Sequence, residues 1–393
     1  MYSVLAGTTN HPDSINPYQG LFNYRSLRAL AQSGPSVDAV APRPFAPPVG
    51  PYSSYSSISS VEDWGSYSVH HPRIWYLIPK RAFYSVAGVS YANRIPEYVS
   101  KTFDRPDVIH ACHLYPDGYG LLPYARANDV PLFVVCHGSR LNSMGDHPPG
   151  VEPRVRETLD AATGVLCVSD ALAEKASRYT DASKVETVPI GADPANFPVD
   201  QRERLREELD IDLDATVVLF VGQFYERKGI GEITDLLPDL NLDDTVFVFV
   251  GQGGSMEEEL RVALTESDFS ARHIYTGITT LALRRWFALA DLYFLPSHSE
   301  GRPTAIYEAM ASKTAVLGTE VGGVPEQVVD GETGRLIPPK DVGAIESALQ
   351  ELTADRQVLW EMGKAGCRRL REKNWTWADH AERIKEVHRA AIE

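Results

Sequence analysis

Short, continuous apolar segments recur along the chain from about residue 107 and alternate with stretches of helical periodicity. The first series lies at residues 107–112, 131–136 and 164–169. Short apolar runs without polar interruptions are typical of strands that helices cover on both faces of a parallel sheet. The alternation of such strands with helices predicts right-handed crossovers and a doubly wound α/β fold.

The same pattern then starts again further along the chain. Its second series of apolar segments lies at residues 217–222, 246–251, 292–296 and 314–318. Residues 188–198, between the two series, are rich in Pro, Gly, Asp and Asn and are predicted to form the interdomain linker. We therefore expect two Rossmann-like domains, at 1–190 and 198–374. They would face a central cleft lined by the carboxyl ends of their strands, where such sheets bind ligands.

Three segments fall outside this pattern. Residues 34–75 are rich in Pro, Ser and Tyr, and we expect a long irregular excursion there, after an early strand and helix. Residues 73–84 mix aromatic and basic side chains. They could be a membrane-surface or acceptor-binding element, or equally a buried loop with a solvated basic edge. Residues 375–393 are predicted to form a closing amphipathic helix, with the N-terminal domain as its candidate packing partner.

The net charge of −15 is distributed unevenly along the chain. Residues 1–106 carry nine Lys or Arg and six Asp or Glu, a net +3, so the remainder carries −18. The acidic whole argues against nucleic acid as a partner, whereas the basic N-terminal part could face an anionic surface or acceptor. With no apolar run of about 18 residues and no signal-peptide pattern, we expect a cytoplasmic protein. That location extends to the inner membrane surface if the N-terminal part contacts lipid.

The strongest constellation for chemistry lies at residues 299–311, after a predicted strand. Pro303 suits the first position of a helix, whose free amides near Thr304 would form an anion site. Glu300 would lie on the loop and Glu308 about one turn into the helix. The two carboxylates could grip hydroxyls of a ligand whose phosphates rest on those amides. Alternatively, Glu300 caps the helix and Glu308 lies on the surface.

Three further loops carry candidate ligand contacts. Lys228 follows a predicted strand in a short loop, where a lysine supplies a point charge for phosphate, although a solvated surface lysine is the alternative. His137 lies at the end of another predicted strand. It could be catalytic or contact a sugar, or it could be a core histidine whose hydrogen bonds are satisfied within the protein. Gly20 ends an N-terminal loop before a helix. No set of Cys and His residues has zinc-like spacing, so no metal site is predicted.

Glu300 and Glu308 resemble the E-x7-E pair of retaining GT-B glycosyltransferases. The sequence that follows, through residues 318–336, resembles the C-terminal domain of family 4, the group 1 type. Four N-terminal motifs also resemble the family and fall in its usual order, at 107–113, 136–139, 166–169 and 188–193. The resemblance implies a GT-B fold and a nucleotide-diphosphate sugar held mainly by the C-terminal domain.

The resemblance also implies roles for particular residues. Glu308 would bind the ribose hydroxyls and Lys228 the diphosphate. Glu300 and His137 would be the catalytic pair that contacts the transferred sugar. Further substrate contacts would come from Gly20 beside the phosphates, Ile278 beside the base, Gln223, and the loop residues Arg302, Pro303 and Thr304.

The chain departs from the family pattern at several positions. Gln223 stands where the family usually has Arg, so one phosphate charge is missing, and Arg227 or Arg302 could compensate. Ile190 replaces the usual Asn, and Lys313 begins a Lys-Thr-Ala segment in place of Gly-x-Pro.

The resemblance implies transfer of a sugar to a lipid-linked, glycan or small-molecule acceptor, with retention of anomeric configuration and without a metal or other cofactor. Two alternatives stay open. One is another GT-B enzyme, such as a nucleotide-sugar epimerase or a phosphorylase. The other is a non-catalytic GT-B scaffold subunit, which the Gln223 departure makes conceivable.

Overall fold

The computed structural model describes residues 2–45, 53–75, 84–242, 244–251, 253–266, 272–275 and 280–393. The chain divides into two compact units. The N-terminal unit comprises Met1–Ile190 together with Trp377–Glu393, and the C-terminal unit comprises Gly191–Thr376. Each unit is built on its own largely parallel sheet.

The N-terminal unit contains ten strands within its described residues. They are β1 (Ser3–Gly7), β2 (Ser36–Val40), β3 (Arg43–Pro44), β4 (Val61–Asp63), β5 (Ser68–His70), β6 (Arg73–Ile74), β7 (Val108–Ala111), β8 (Leu132–Cys136), β9 (Gly164–Cys167) and β10 (Val185–Thr187). Its helices are α1 (Leu21–Gln32), α2 (Tyr84–Thr102), α3 (Tyr119–Asn128), α4 (Ser139–Asn142), α5 (Glu152–Ala161), α6 (Asp170–Ala176) and the last helix of the chain, α15 (Trp377–Ile392).

Eight of these strands form the main sheet, in the order β10-β9-β8-β7-β1-β2-β5-β4. Every neighbouring pair is parallel except β4 and β5, which are antiparallel. All residues of β7, β8 and β9 are buried, as the uninterrupted apolar runs predicted. Because the chain moves outward in both directions from β1 and β7, the point where the strand order reverses lies between these two strands.

The expectation of an irregular excursion over residues 34–75 is wrong for much of that segment. It supplies β2, β5 and β4 to the main sheet, and β3 and β6 pair as a small parallel sheet of their own. The strands after β2 have two or three residues each, too few to produce an apolar pattern against the Ser and Pro around them. Residues 46–52 lie outside the described part.

The C-terminal unit alternates strands and helices up to its last strand, after which two helices follow in succession. Its strands are β11 (Thr216–Val221), β12 (Thr245–Val250), β13 (Arg272–Tyr275), β14 (Leu292–Leu295), β15 (Ala315–Thr319) and β16 (Gly334–Ile337). Its helices are α7 (Arg202–Glu208), α8 (Ile230–Leu236), α9 (Glu257–Glu266), α10 (Thr280–Leu289), α11 (Thr304–Ala311), α12 (Val324–Gln327), α13 (Val342–Thr353) and α14 (Arg356–Glu372).

The sheet of this unit has the order β13-β12-β11-β14-β15-β16, and all its pairs are parallel. Its core is strongly aromatic: Phe220, Phe247, Phe249 and Phe294 are buried among aliphatic side chains of α8, α13 and α14. The reversal of strand order lies between β11 and β14, so the loops that follow these strands lie beside each other at the carboxyl edge of the sheet.

The last helix, α15 (Trp377–Ile392), belongs to the N-terminal unit and packs on α1. Three polar contacts on its inward face involve histidine side chains. Ser26 Oγ lies 2.8 Å from His380 Nε2, His110 Nδ1 lies 3.2 Å from His388 Nε2, and Tyr2 Oη lies 3.1 Å from His388 Nδ1. The helix is therefore held by buried polar contacts as well as by its apolar stripe. None of the described helices has the length and apolar character needed to cross a membrane.

Candidate functional site

Lys228 and Glu300 meet where the loops after β11 and β14 lie side by side. The Lys228 ammonium forms an ion pair with Glu300 Oε1, and the Ser297 hydroxyl donates to the same oxygen at 2.7 Å. Only 16% of the lysine side chain and 10% of the glutamate side chain are exposed, so water screens this pair less than an ordinary surface pair. The structure thus places two of the predicted site residues in direct contact.

Close backbone packing and hydrogen bonds hold the same two loops together. Gly229 has a φ of +76°, and an added Cβ would overlap the carbonyl oxygen of Pro296, so only glycine fits there. The His298 amide donates to the Arg227 carbonyl at 2.9 Å, and the His298 imidazole lies 2.9 Å from the Glu232 carboxylate. The ammonium and the carboxylate are therefore presented on a rigid frame.

The amino end of α11 lies directly after the Glu300 loop. Pro303 precedes the helix in an extended conformation, so its predicted place at the first helical position is wrong by one residue, and Thr304 begins the helix. Pro303, at the N-cap position, has no polar side chain with which to cap this end. The capping alternative for Glu300 stays a prediction. The first amides of a helix have no intrahelical partner and carry partial positive charge, so the amides near Thr304 suit an anion.

Glu308 lies inside the helix and is only 6% exposed, so the alternative that it lies on the surface is wrong. The hydroxyl of Tyr293 on β14 lies close enough to sense both carboxylates. Burial raises the pKa of Tyr293, and the negative charges of Glu300 and Glu308 raise it further. Both glutamates of the predicted pair therefore act electrostatically on the same buried phenol.

The other predicted contacts of this unit differ in their environment. Gln223 is exposed, and so is Arg227, whose guanidinium lies 5.9 Å from the Tyr225 ring centre. Ile278 lies outside the described residues.

Arg302 is buried and already engaged, which sequence reasoning missed. It forms an ion pair with Glu326 at 2.6 Å, donates to the Tyr307 hydroxyl and lies 4.8 Å from the Trp375 ring centre. Its suggested role in replacing a phosphate charge would require it to leave all three partners. Of the two arginines considered for that role, Arg227 is the one whose side chain faces solvent.

His137 and Gly20 belong to the N-terminal unit. His137 follows β8, with its ring 4.6 Å from Phe22 and 5.4 Å from His113, measured between ring centres. Burial, together with neighbouring histidines, lowers the pKa of His137 well below its ordinary value, so the imidazole is neutral at physiological pH. Gly20 immediately precedes α1 with a φ of +66°, and a Cβ there would overlap the Asn10 carbonyl.

Asp117 and His113 form a second polar pair that the sequence did not reveal. Asp117 is fully buried; its Oδ1 accepts from the Thr9 amide at 2.8 Å and its Oδ2 lies 2.8 Å from His113 Nδ1. The i, i+4 spacing was visible, but Pro116 between the two residues argued against a helix that would bring them together. This carboxylate fixes the loop after β1 and orients the imidazole beside His137.

A carboxylate–imidazole cluster of Glu226, Glu232 and His298 lies next to Lys228 in the chain. Each residue offers one ligand atom, and these atoms lie within 4.8 Å of one another. Two carboxylates and one imidazole are a set that could hold a divalent cation. The His298 imidazole is already paired with Glu232, which accounts for the arrangement without a metal.

Known families and structures match this architecture. The family model described as "Glycosyl transferases group 1" matches residues 201–369, and the one described as "Glycosyltransferase Family 4" matches residues 20–196. Sucrose-phosphate synthase from Thermosynechococcus elongatus superposes with a TM-score of 0.81 at 21% identity, covering 100% of this chain and 99% of that one. Anabaena HepE in complex with UDP-glucose gives a TM-score of 0.72 at 15% identity, covering 99% and 100%. The fold is GT-B, and the class is that of the glycosyltransferases.

Curated relatives narrow the class to a family. The D-inositol 3-phosphate glycosyltransferase of Pseudarthrobacter chlorophenolicus is 30% identical over 310 residues, 74% of this chain and 72% of that protein. The Bacillus subtilis protein named "Putative teichuronic acid biosynthesis glycosyltransferase TuaC" is 29% identical over 375 residues, 91% and 90%. This chain belongs to the GT-B glycosyltransferases of the group 1/family 4 type.

Proposed function

We propose that this glycosyltransferase moves a sugar from a nucleotide-diphosphate donor with retention of anomeric configuration, and that the donor binds in the C-terminal unit. The observation that carries the proposal is the Lys228–Glu300 pair beside the amino end of α11, where Pro303 offers no side-chain cap. One cation and one set of free amides suit a diphosphate, and one carboxylate suits sugar hydroxyls. The UDP-glucose bound by Anabaena HepE, which shares the fold, is consistent with a donor of this kind.

In this proposal the residues divide the donor between them. The Lys228 ammonium leaves Glu300 and contacts the diphosphate, while Glu300 turns to the hydroxyls of the transferred sugar. Glu308, further along α11, takes the ribose hydroxyls. Gln223, Pro303 and Thr304 line the phosphate end, and Gly20 allows the first loop to approach the phosphates.

The chemical step exchanges one bond to the anomeric carbon for another. The acceptor oxygen attacks from the face that the diphosphate leaves, so the configuration is retained. The bond from the anomeric carbon to the diphosphate oxygen breaks, and the acceptor proton passes to that leaving oxygen. Lys228 and the α11 amides stabilise the charge on the leaving group without a metal ion. Neutral His137 donates a hydrogen bond to the sugar.

The acceptor is a glycan, lipid-linked or small hydroxyl compound in this proposal, and peripheral contact with a lipid surface is part of it. Phe45 and Trp75 support that contact. Their rings are stacked at 4.5 Å, and they are 50% and 61% exposed. Aromatic rings exposed in this way favour the interface of a bilayer. The basic segment predicted to share this role, at residues 76–83, lies outside the described residues.

The proposal is tested by the stereochemistry of the product. The protein is incubated with a panel of UDP-, GDP- and ADP-sugars and candidate acceptors, and the anomeric proton of the product is observed by NMR. Retention supports the proposal, whereas an inverted product contradicts it. Turnover of the nucleotide sugar without an acceptor would instead favour an epimerase, and a sugar phosphate formed from a glycan and phosphate would favour a phosphorylase. Binding of a partner transferase without any turnover would favour the scaffold role.

A further inference from the structure

A cluster of cationic and aromatic side chains lies beside the Glu300 loop, residues 296–303, in the C-terminal unit. We term it the arginine–tryptophan cluster; its members are Arg302, Tyr307, Glu326, Arg369 and Trp375. The Arg302 guanidinium lies 4.8 Å from the centre of the Trp375 ring, and the Arg369 guanidinium lies 5.3 Å from the same centre. Arg302 is 6% exposed and Trp375 is 7% exposed. Because little water reaches the ring, each of these cation–π contacts is stronger than one on the surface.

The backbone of the Glu300 loop is attached to the same cluster through α12. The Gly323 amide, just before α12, donates to the Gly301 carbonyl at 2.8 Å, and Gln327 Nε2 on α12 donates to the Pro303 carbonyl at 3.2 Å. Arg369 in turn holds α12, because its side chain donates to two carbonyls of that helix at 2.9 Å each. The loop is therefore held both by the Arg302 side chain and by its own carbonyls.

Trp375 also holds the first residues of the C-terminal unit. That unit begins at Gly191 and ends at Thr376. The Trp375 carbonyl accepts from the Ala192 amide at 3.1 Å, and a Cβ on Gly191 would overlap the same carbonyl oxygen. The first and the last residues of the unit therefore meet at Trp375, whose ring carries the Arg302 guanidinium.

The pairing of Arg302 favours a positioning role over direct contact with phosphate. Its Nη1 pairs with Glu326 at 2.6 Å, its Nε donates to the Tyr307 hydroxyl, and only 2% of its side chain is exposed. Burial raises the pKa of Tyr307, so this hydroxyl stays neutral and can accept. A guanidinium engaged in this way fixes the backbone that carries it, and Arg302 lies only two residues from Glu300.

We infer that Arg302 is a positioning residue: through Trp375 it fixes the Glu300 loop for sugar transfer and joins that loop to both ends of the C-terminal unit. The inference rests on the proposed function, in which Glu300 contacts the transferred sugar. Loss of the Arg302–Trp375 contact should slow transfer, because Glu300 is then less well placed. It should not weaken binding of a free nucleoside diphosphate, which lacks that sugar and still meets Lys228.

Kinetics and calorimetry on the full chain test this separation with Arg302→Gln, Trp375→Leu and the double variant. Each single variant should lower kcat about 10- to 100-fold, as expected when a contact to the reacting group is misplaced by about 1 Å. The dissociation constant of UDP or GDP should change by less than about 3-fold. Because both side chains act through one contact, the double variant should be no slower than the slower single variant.

Hydrogen–deuterium exchange tests the connection to Trp375 independently of activity. The Ala192 amide is bonded to Trp375 and not to Arg302. In Arg302→Gln it should nevertheless exchange about 5-fold faster, the factor that loss of one cation–π contact implies. The amides of β12, which pairs with β11 and β13, are the internal reference and should keep the wild-type rate. Equal acceleration in β12 would show general destabilisation and overturn the connection.

Two further variants are matched controls in the same unit. Trp360→Leu removes another indole that lies 5.4 Å from a guanidinium, that of Arg202, and Arg368→Gln removes an exposed guanidinium of α14. Neither residue belongs to the arginine–tryptophan cluster. Both variants should therefore keep the wild-type kcat and the wild-type exchange rate of the Ala192 amide, and a loss equal to that of Trp375→Leu would overturn the inference.

The remaining outcomes separate the inference from the proposed function. A nucleotide dissociation constant that rises about 10-fold or more in Arg302→Gln, but not in Trp375→Leu, would mean direct contact with phosphate and overturn the positioning role. Losses of kcat that multiply in the double variant would mean that the two side chains act separately, which also overturns it. If the wild-type protein neither binds nucleotide nor transfers sugar, the proposed function fails, while exchange of the Ala192 amide still decides whether Arg302 acts through Trp375.

Discussion

The ion pair between Lys228 and Glu300 leads to a prediction in which its two members behave in opposite ways. The carboxylate holds the ammonium in this structure, and in the proposed function a donor diphosphate displaces that contact. Lys228→Ala removes a charged contact to phosphate, worth about 1.5–3 kcal/mol, so the dissociation constant for free UDP, GDP or ADP should rise about 10- to 150-fold.

Glu300→Gln has the opposite effect on the free nucleotide. The glutamine is close in size to the glutamate and can still accept from Ser297, but it no longer holds the ammonium by charge. The attraction between the two side chains is on the order of 1 kcal/mol, the upper end for exposed ion pairs. Because the nucleotide no longer has to break this attraction in the variant, it should bind equally well or up to about 5-fold more tightly. Turnover of the nucleotide sugar should nevertheless fall, because in the proposed function Glu300 contacts the transferred sugar.

Isothermal titration calorimetry with the free nucleoside diphosphate measures both effects. Lys364→Ala is the matched control, because Lys364 belongs to the same unit and pairs with Glu361 on the exposed surface of α14 at 2.6 Å. It should leave the nucleotide affinity unchanged. Equal weakening by Lys228→Ala and Glu300→Gln would refute the reasoning, since it would mean that the pair only shapes the loops.

Four further changes have defined outcomes. Glu308→Gln should weaken nucleotide binding in the same titration, and an unchanged affinity would exclude the ribose contact. Gly229→Ala should lower the unfolding free energy by at least about 1–2 kcal/mol in a denaturant melt, because its φ of +76° and the Pro296 carbonyl both oppose a Cβ. Burial lowers the pKa of His380 to about 4, so the unfolded chain gains a proton below about pH 6.5 before the folded chain does. Stability should therefore fall by about 2 kcal/mol per such histidine between pH 7.5 and 5, and His380→Asn should flatten that dependence. Excess EDTA should leave the transfer rate unchanged, whereas loss of activity that Mg²⁺ or Mn²⁺ restores would contradict metal-independent transfer.

The parts of the fold that the sequence predicted are those whose local pattern is decided by burial alone. Strands such as β8 and β12 are covered on both faces, so their apolar runs stand out. β2, β4 and β5 could not be found in this way, because they lie toward one edge of the sheet and retain exposed or partly exposed residues. Their place in the sheet is decided by pairing with strands distant in sequence, which local composition does not encode.

The candidate site shows the same difference between what local sequence encodes and what depends on contacts between distant segments. The sequence singled out Lys228, Glu300 and Glu308 by residue type and position, but not the contact between the first two. That contact arises because β11 and β14 are neighbours, although β12 and β13 lie between them along the chain. The engagement of Arg302 was equally hidden, since its partner Glu326 belongs to a later loop and helix.

A crystal structure of the chain with bound nucleoside diphosphate tests the central claim most directly, because it locates the donor. The proposed function predicts phosphate oxygens within hydrogen-bond distance of the Lys228 ammonium and the amides near Thr304. It also predicts ribose hydroxyls on the Glu308 carboxylate, with the Lys228–Glu300 contact broken. A nucleotide bound elsewhere in the chain, with that ion pair intact, would contradict the claim.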